Sequence, residues 1–259
     1  MRIVMLGSGN VASVLSRLLV QNNHELVQVF SRNVPYGSAL AQELNASFTH
    51  VPAEISMTAD LYIASISDTA LYGMHEWLQL EDRLIVHTAG SVPMNVLANV
   101  SSNHGVMYPL QSLRKEMVRI PVIPFMLEAN NADNLGLLQD LAGQLSDIVY
   151  AVNTDERMKL HIGAVLVSNF TNYLYARTEK YLQDHSLDFD VLLPLIKETA
   201  IRLTEESAAA LQTGPAIRGD MTTIEKHLSS LEQEPDLSIL YKTMSLEILD
   251  WFKREKEAI

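Results

Sequence analysis

The sequence predicts an α/β fold, in which a mostly parallel sheet in the first part of the chain is followed by an all-helical C-terminal domain. Up to about residue 150, short apolar runs alternate with helix-like stretches, which is typical of parallel strands joined by crossover helices. After about residue 153, the chain has long segments of helical periodicity and no strand-like alternation. We therefore expect two domains, at residues 1–152 and 153–259.

The elements of the first domain follow from these apolar runs and from the Gly and Pro residues that mark several joints between them. Two intervening segments, Val11–Gln21 and Gly37–Leu44, have the apolar spacing of amphipathic helices. The predicted strands are, in chain order, Ile3–Leu6, Leu26–Phe30, Leu61–Ile66, Leu84–Val86, Gly105–Tyr108, Val122–Leu127 and Ile148–Ala151.

The second domain is predicted to contain three long helical segments, Leu160–Asp184, Phe189–Gln212 and Asp236–Glu257. The first of them is apolar around much of its circumference at Ile162–Val167, which indicates burial on several sides. A small helical domain cannot cover these apolar faces alone, so we expect a homodimer formed through the helical domain.

Composition excludes several classes of protein. The 259 residues are 47% hydrophobic and 19% charged, as in an ordinary globular protein, and the net charge of -12 argues against nucleic-acid binding. Cysteine is absent and no two histidines have the helical spacing of a zinc site, so no metal is expected. No apolar run approaches the roughly 18 residues of a membrane span, so we expect a cytoplasmic protein without membrane contact.

The segment Gly7-x-Gly9-x-x-Ala12 follows the first strand, opens the first helix and fits the dinucleotide-binding pattern. Gly7 allows a tight turn, Gly9 lets the backbone approach a pyrophosphate, and Ala12 lets the helix pack close to the strand. The helix start then presents free N–H groups and the positive end of its dipole to the phosphates. The residues predicted to bind the cofactor in this segment are Gly7, Ser8, Gly9, Asn10 and Val11.

The second strand ends at VFSRN, where an acidic residue usually binds the ribose 2′-hydroxyl. Ser31 and Arg32 stand there instead, and a hydroxyl beside a guanidinium suits a 2′-phosphate, which a carboxylate would repel. The sequence therefore favours NADP(H) over NAD(H), with a solvated arginine in a loop as the alternative. Ser65, Ile66 and Ser67 lie at the carboxyl end of a later predicted strand, where ligands of open α/β sheets bind, and are also predicted to contact the cofactor.

Five segments together carry a resemblance: GSGNVA, VFSRN, HTAGS, MYPLQSL and TGPAIRGD. The chain resembles, nearly end to end, the Rossmann-like oxidoreductases with a helical C-terminal domain of unknown function. These are relatives of pyrroline-5-carboxylate reductase and of the 6-phosphogluconate and β-hydroxyacid dehydrogenases. The resemblance implies a homodimer whose helical domain closes over the nicotinamide. This chain has Tyr108-Pro109 where family members more often have His-Pro, so no role of that histidine is carried over.

A nicotinamide cofactor carries the hydride, so the protein must position a carbonyl or imine and supply a proton. His161 is the preferred donor because imidazole side chains titrate near neutral pH, and its alternative is a structural role on a helix. His161 lies on one helical face with Val165, Ser168 and Asn172, and Asn169 lies beside this stripe. The related dehydrogenases present a Lys and an Asn from the matching helix, so the resemblance implies Lys159 with Asn169 as a counterpart, although the spacing differs.

Four further residues are candidates for binding a small-molecule substrate. His87 and Ser91, in HTAGSVP, either orient substrate or finish a strand and cap the next helix. Tyr108 serves either in packing or as a proton donor. Arg218, in TGPAIRGD, either holds a substrate carboxylate or forms a structural ion pair with Asp220.

Two functional hypotheses follow. The first is an NADP(H)-dependent reductase of a small carbonyl or imine compound. The alternative is a non-catalytic NADP(H) sensor or assembly module, because no catalytic residue is forced by the sequence and a fold does not fix a function. Polar groups that converge near the nicotinamide would favour the enzyme, and a purely apolar pocket would favour the sensor.

Overall fold

A computed structural model describes residues 1–257 and divides the chain into two compact units, Met1–Phe170 and the part that begins at Thr171. The first unit includes the sheet and one helix after it, so it ends later than the predicted domain boundary at residues 152 and 153. The predicted domain boundary stays a prediction. The strands of the first unit are β1 (Arg2–Leu6), β2 (Glu25–Phe30), β3 (Ser47–Thr49), β4 (Leu61–Ala64), β5 (Leu84–His87), β6 (His104–Pro109), β7 (Phe125–Ala129) and β8 (Val149–Ala151).

These strands form an eight-stranded sheet in the order β3-β2-β1-β4-β5-β6-β7-β8. The strands from β3 to β6 pair in parallel, β7 runs antiparallel to β6, and β8 is parallel to β7. A mostly parallel sheet of this order, followed by a helical part, confirms the predicted fold class. The chain reverses its direction of travel across the sheet between β1 and β4, which is where open α/β sheets bind ligands.

Alternate residues of β1 pack on opposite faces of the sheet. Ile3 and Met5 belong to one hydrophobic cluster, which also contains residues of three helices. Val4 and Leu6 belong to a second cluster on the other face. Both faces are therefore covered, which explains why the strands are apolar runs rather than alternating ones. The helices of the first unit are α1 (Asn10–Gln21), α2 (Val34–Glu43), α3 (Asp68–Tyr72), α4 (Ala132–Leu145) and α5 (Thr154–Ala164).

Helix α5 begins at a capping box. The Asn153 side chain accepts a hydrogen bond from the Glu156 N–H (2.9 Å), and the Glu156 carboxylate accepts one from the Asn153 N–H (2.8 Å). After Ala164 the chain continues as a π-helical segment, Val165–Phe170. The wider turn of a π-helix changes the phase of the side chains that follow, so the predicted continuous α-helical stripe is interrupted there.

The second unit is helical, as predicted. One predicted segment is shorter than expected, since its helix ends at Arg202 and turns follow it. Asp220 caps a later helix by accepting hydrogen bonds from the N–H (3.0 Å) and hydroxyl (2.7 Å) of Thr223, which lower the pKa of Asp220. No helix in residues 1–257 is both long enough and apolar enough to cross a membrane. The helices are α6 (Thr171–Asp184), α7 (Leu193–Arg202), α8 (Pro215–Arg218), α9 (Met221–Ser230) and α10 (Pro235–Glu257).

Candidate functional site

Gly7 forms the tight turn between β1 and α1. Its φ of 127° lies in the region that favours glycine, and a Cβ there would stand 2.1 Å from the carbonyl oxygen of Ser65. Its N–H donates a hydrogen bond to the carbonyl of Phe30 (2.8 Å). The turn is therefore held between the carboxyl ends of three neighbouring strands, and no other residue fits it.

Gly9 serves a different purpose, because a Cβ at Gly9 would meet no protein atom within 4 Å. Protein packing does not require a glycine at this position. Gly9 is the N-cap of α1, no side chain caps the helix, and its first turn contains no acidic residue. The first N–H groups of α1 thus face an open space, which fits the pyrophosphate of a dinucleotide.

A cleft of about 960 Å³ opens in front of this turn. It is as large as the ligand pockets of typical enzymes, and every residue predicted to bind the cofactor lines it. The cleft also includes residues that the sequence did not indicate, among them Trp77, whose ring stacks on Phe30 with centroids 5.2 Å apart. The predicted lining residues are Gly7, Ser8, Gly9, Asn10, Val11, Ser31, Arg32, Ser65, Ile66 and Ser67.

The end of the cleft beside β2 combines fixed hydroxyls with a free cation. The buried hydroxyl of Ser31 lies 2.7 Å from that of Ser8 and accepts a hydrogen bond from the Asn33 N–H (3.1 Å). Arg32 is exposed, and within the described part of the chain no hydrogen-bond or ion-pair partner contacts its guanidinium. An anionic group can therefore bind to Arg32 without first breaking an existing ion pair.

The turn after β5 connects the cleft to a pair of side chains behind it. Thr88 and Ala89 line the cleft, and the next residue, Gly90, packs against the rings of Tyr108 and His161. A Cβ at Gly90 would stand 2.7 Å from His161 Nδ1 and 2.8 Å from Tyr108 Cζ. The close contact therefore requires a glycine, for reasons of space.

Tyr108 and His161 form a hydrogen bond of 2.9 Å between the phenol oxygen and Nδ1, with the two rings edge to face. Burial raises the pKa of Tyr108, so its oxygen keeps its hydrogen at neutral pH. The direction of this hydrogen bond depends on the form of the imidazole, since the phenol donates to a bare Nδ1 and accepts from an Nδ1 that carries hydrogen. The structure thus joins two residues that the sequence indicated separately.

Two predicted substrate-binding residues lie at the end of β5 and in the turn after it. The side chain of His87 is fully buried, which fits its alternative role of finishing the strand, and its role in substrate binding stays a prediction. Burial and, secondarily, the charge of Arg157 lower the pKa of His87 to about 3, and its Nδ1 accepts a hydrogen bond from the Ala89 N–H (3.2 Å). Ser91 donates to the Asp68 carboxylate (2.6 Å), and Asp68 lines the cleft. Ser91 as a substrate-binding residue stays a prediction.

Sequence reasoning missed a buried ion pair behind this turn. The guanidinium of Arg157 is fully buried, contacts the carboxylate of Glu128 and donates to the carbonyl of Val92 (2.6 Å). Arg157 precedes His161 by one turn of α5, so the ion pair ties that helix to β7 and to the turn after β5. In the sequence, Arg157 and Glu128 each look like an ordinary charged surface residue. Only their contact in the fold identifies them as a buried ion pair.

Three further candidate residues are exposed. Lys159 is exposed, and two positions along an α-helix separate it from His161 by roughly 200°, so the two side chains leave opposite sides of α5. Asn169 is exposed within the π-helical segment. Arg218 is exposed in the second compact unit. The functional roles of these three residues stay predictions.

Comparison with known families gives two matches. Residues 2–90 match the family described as NADP oxidoreductase coenzyme F420-dependent, and residues 123–248 match a domain of unknown function, DUF2520. A solved structure from Bacteroides fragilis, named a "putative NADP oxidoreductase", is 38% identical, with a TM-score of 0.90 over 96% of this chain and 98% of that one. The chain belongs to this family of NADP oxidoreductases, in which an N-terminal dinucleotide-binding domain precedes a DUF2520 domain.

More distant structures share the fold. A protein from Thermotoga maritima is 19% identical, with a TM-score of 0.78 over 96% of this chain and 99% of that one. The 1-pyrroline-5-carboxylate reductase of Streptococcus pyogenes is 15% identical, with a TM-score of 0.66 over 96% and 98% of the two chains. No curated protein sequence matches the chain.

Proposed function

We propose that the protein is an NADP(H)-dependent reductase of a small carbonyl or imine compound, and that His161 delivers the proton. The observation that carries this proposal is the 2.9 Å hydrogen bond between Tyr108 and His161 beside Gly90, one residue from the cleft. A proton donor held by a second polar group is the element that a reductase needs besides its cofactor. The alternative, a non-catalytic sensor, has no use for such a pair.

The residues of the chain divide the work as follows. Gly7 and Gly9 shape the cradle in which the N–H groups of α1 bind the pyrophosphate. Arg32 and Ser31 bind the 2′-phosphate, which makes NADP(H) the preferred cofactor. The reduced nicotinamide supplies a hydride when it is bound.

The proton comes from the imidazole. In the imidazolium form both ring nitrogens carry hydrogen, and as negative charge develops on the substrate oxygen or nitrogen, the Nε2 proton of His161 is transferred to it and the ring becomes neutral. The Nδ1–H stays on the ring and donates to the phenol oxygen of Tyr108, which fixes the orientation of the imidazole. Solvent then returns a proton to Nε2, and the pair is ready for the next turnover.

The substrate class is chosen for its chemistry. A C=O or C=N group needs one hydride and one proton, which in the proposed enzyme come from the cofactor and from His161. A pyrroline-5-carboxylate reductase and an imine reductase from Streptomyces aurantiacus share the fold of this chain. As part of the proposal, we extend reduction of a C=N group to this chain.

A screen of NADPH oxidation tests the proposal. The purified protein is mixed with NADPH and with panels of keto acids, aldehydes and cyclic imines, and the absorbance of NADPH is followed. We expect turnover with at least one panel and none with NADPH alone. Tight NADPH binding without turnover on any of the three panels would favour the sensor.

We also propose a homodimer formed through the helical part of the chain. Three apolar side chains around the π-helical segment, Ile162, Val167 and Phe170, are 54%, 75% and 56% exposed in the single chain. A second copy that covers them would remove this apolar surface from water. Light scattering across a dilution series should give the mass of a dimer, and a monomer at every concentration would contradict the proposal.

A further inference from the structure

The connection between β6 and β7 is longer than its strands need. These strands are antiparallel neighbours, which a loop of roughly two to five residues can join, yet residues 110–124 lie between them. Leu113 and Ile123 anchor the loop, because both are buried in the core cluster on the α1 face of the sheet. Long ordered loops of this kind usually serve a function.

This loop reaches the start of the cradle helix. The N–H of Lys115 donates a hydrogen bond to the side-chain oxygen of Asn10 (3.2 Å), and Asn10 directly follows Gly9. The guanidinium of Arg17, two turns along α1, donates to the carbonyl of Lys115. The backbone of Lys115 is therefore held beside the predicted phosphate-binding turn.

The side chain of Lys115 carries an uncompensated charge. Its ammonium nitrogen lies 3.4 Å from the centroid of the Tyr36 ring, in the first turn of α2. The nearby carboxylate of Glu43 is committed to Arg17 through two hydrogen bonds of 2.6 and 2.9 Å, which lower the pKa of Glu43. Within residues 1–254, whose side chains the structure describes, no carboxylate pairs with Lys115.

A small cavity connects this lysine with the cofactor cleft. Ser8, Tyr36 and Lys115 line a cavity of about 110 Å³, and Ser8 also lines the large cleft together with Ser31 and Arg32. The hydroxyls of Ser8 and Ser31 are 2.7 Å apart. Ser8 thus lies between the small cavity that Lys115 lines and the cleft that Ser31 and Arg32 line.

We propose that Lys115 is a second cation of the 2′-phosphate subsite and determines specificity for NADP(H) over NAD(H). The inference rests on the proposed function, since it needs a 2′-phosphate between Ser8, Ser31 and Arg32. A phosphate monoester carries between one and two negative charges at neutral pH and can attract a lysine from an aromatic ring. A 2′-hydroxyl has no charge with which to do so.

Calorimetric titration with 2′,5′-ADP and 5′-AMP tests this assignment, because the two probes differ only in the 2′-phosphate and need no turnover. Lys115→Met should weaken binding of 2′,5′-ADP by roughly three- to tenfold, as for a partly solvated ion pair, and leave 5′-AMP unchanged. Lys115→Arg should keep most of the preference. Arg119→Met removes an exposed cation from the same loop and should change neither affinity.

The outcomes separate this inference from the proposed function. If the wild type prefers 2′,5′-ADP and Lys115→Met retains that preference in full, Lys115 has no part in the subsite and the cofactor assignment stands. If Lys115→Met weakens both probes equally, the residue supports the loop rather than the phosphate, which also overturns the inference. If the wild type binds both probes equally, the NADP(H) assignment and this inference fail together.

Discussion

Gly9 and Gly90 lie at two regions of one site and are glycines for opposite reasons. A side chain at Gly9 would meet no protein atom within 4 Å, whereas one at Gly90 would collide with His161 and Tyr108. The space around Gly9 is empty of protein atoms, whereas the space around Gly90 is filled by the rings of Tyr108 and His161. Under the proposed function, the first region receives the cofactor and the second fixes the position of the proton donor.

The two regions also differ in how their polar groups are satisfied. In the cleft that contains Gly9, the guanidinium of Arg32 has no protein partner in the described part of the chain. Behind Gly90, Tyr108 bonds to His161, and Arg157 bonds to Glu128 and to the carbonyl of Val92. Unpaired groups indicate where a ligand binds, and paired groups indicate where geometry is preserved.

The largest expected effect tests the catalytic side of this comparison. His161→Gln keeps a polar side chain but removes the titrating group, so turnover should fall by roughly a hundredfold or more, as for loss of a general acid. The affinity for NADPH should remain nearly unchanged, because His161 does not line the cleft. Turnover is measured by NADPH oxidation on a substrate found by screening, and unaltered turnover would return His161 to a structural role.

A matched pair of glycine substitutions tests the contrast itself. Gly90→Ala should displace the Tyr108–His161 pair and reduce turnover by roughly ten- to a hundredfold, since small misplacements of reacting groups are costly. Gly9→Ala should leave thermal stability unchanged and weaken NADPH and NADH alike, by roughly tenfold, because the new methyl group occupies the space for the pyrophosphate.

Enzyme assays and calorimetric titration of both variants distinguish the two regions. The contrast predicts that each variant affects a different quantity. If Gly90→Ala weakened NADPH binding as much as Gly9→Ala did, the two regions would not be separable in the way proposed here.

The two regions were predictable from the sequence to different degrees. The glycine spacing predicted Gly7 and Gly9, and the missing acidic residue at the end of the second strand predicted Ser31 and Arg32; all four residues line the cleft. The Tyr108–His161 pair depends on β5 and β6 being neighbours and on α5 packing behind them. The sequence indicated its members singly, and it offered no local pattern for their contact.

Other features were missed for similar reasons. The ion pair of Arg157 with Glu128 joins positions 29 residues apart, and burial of a guanidinium depends on where its partner lies. Strand β3 has only three residues, too few to show alternation. The π-helical segment after α5 has no Gly or Pro in it to mark the change of helix type.

A smaller effect concerns the buried histidine at the end of β5, His87. His87 has a pKa of about 3 in the folded protein and 6.5 as its ordinary value. Below pH 6.5 the unfolded chain binds a proton there that the folded chain does not, so stability is lost as the pH falls toward 3. At pH 5 this amounts to roughly 2 kcal/mol at 1.36 kcal/mol per unit.

Urea unfolding at pH 7.5 and pH 5 measures this loss. His87→Gln keeps an acceptor for the Ala89 N–H but does not titrate, so it should lose less stability between the two pH values than the wild type does. His75→Gln, at an exposed histidine, provides the control and should behave like the wild type. Equal pH dependence in all three proteins would mean that His87 does not stay neutral in the fold.

Calorimetric titration of NADPH and NADH against the wild type and Arg32→Ala tests the central claim most directly, because Arg32 is the exposed cation of the cleft and the pyrophosphate cradle is common to both cofactors. The wild type should bind NADPH more tightly than NADH. Arg32→Ala should weaken NADPH by roughly ten- to a hundred-and-fifty-fold, the value of about 1.5–3 kcal/mol for a charge-assisted hydrogen bond, and leave NADH nearly unchanged. Equal affinities in the wild type, or a parallel loss of both cofactors in the variant, would contradict the assignment of this cleft to NADP(H).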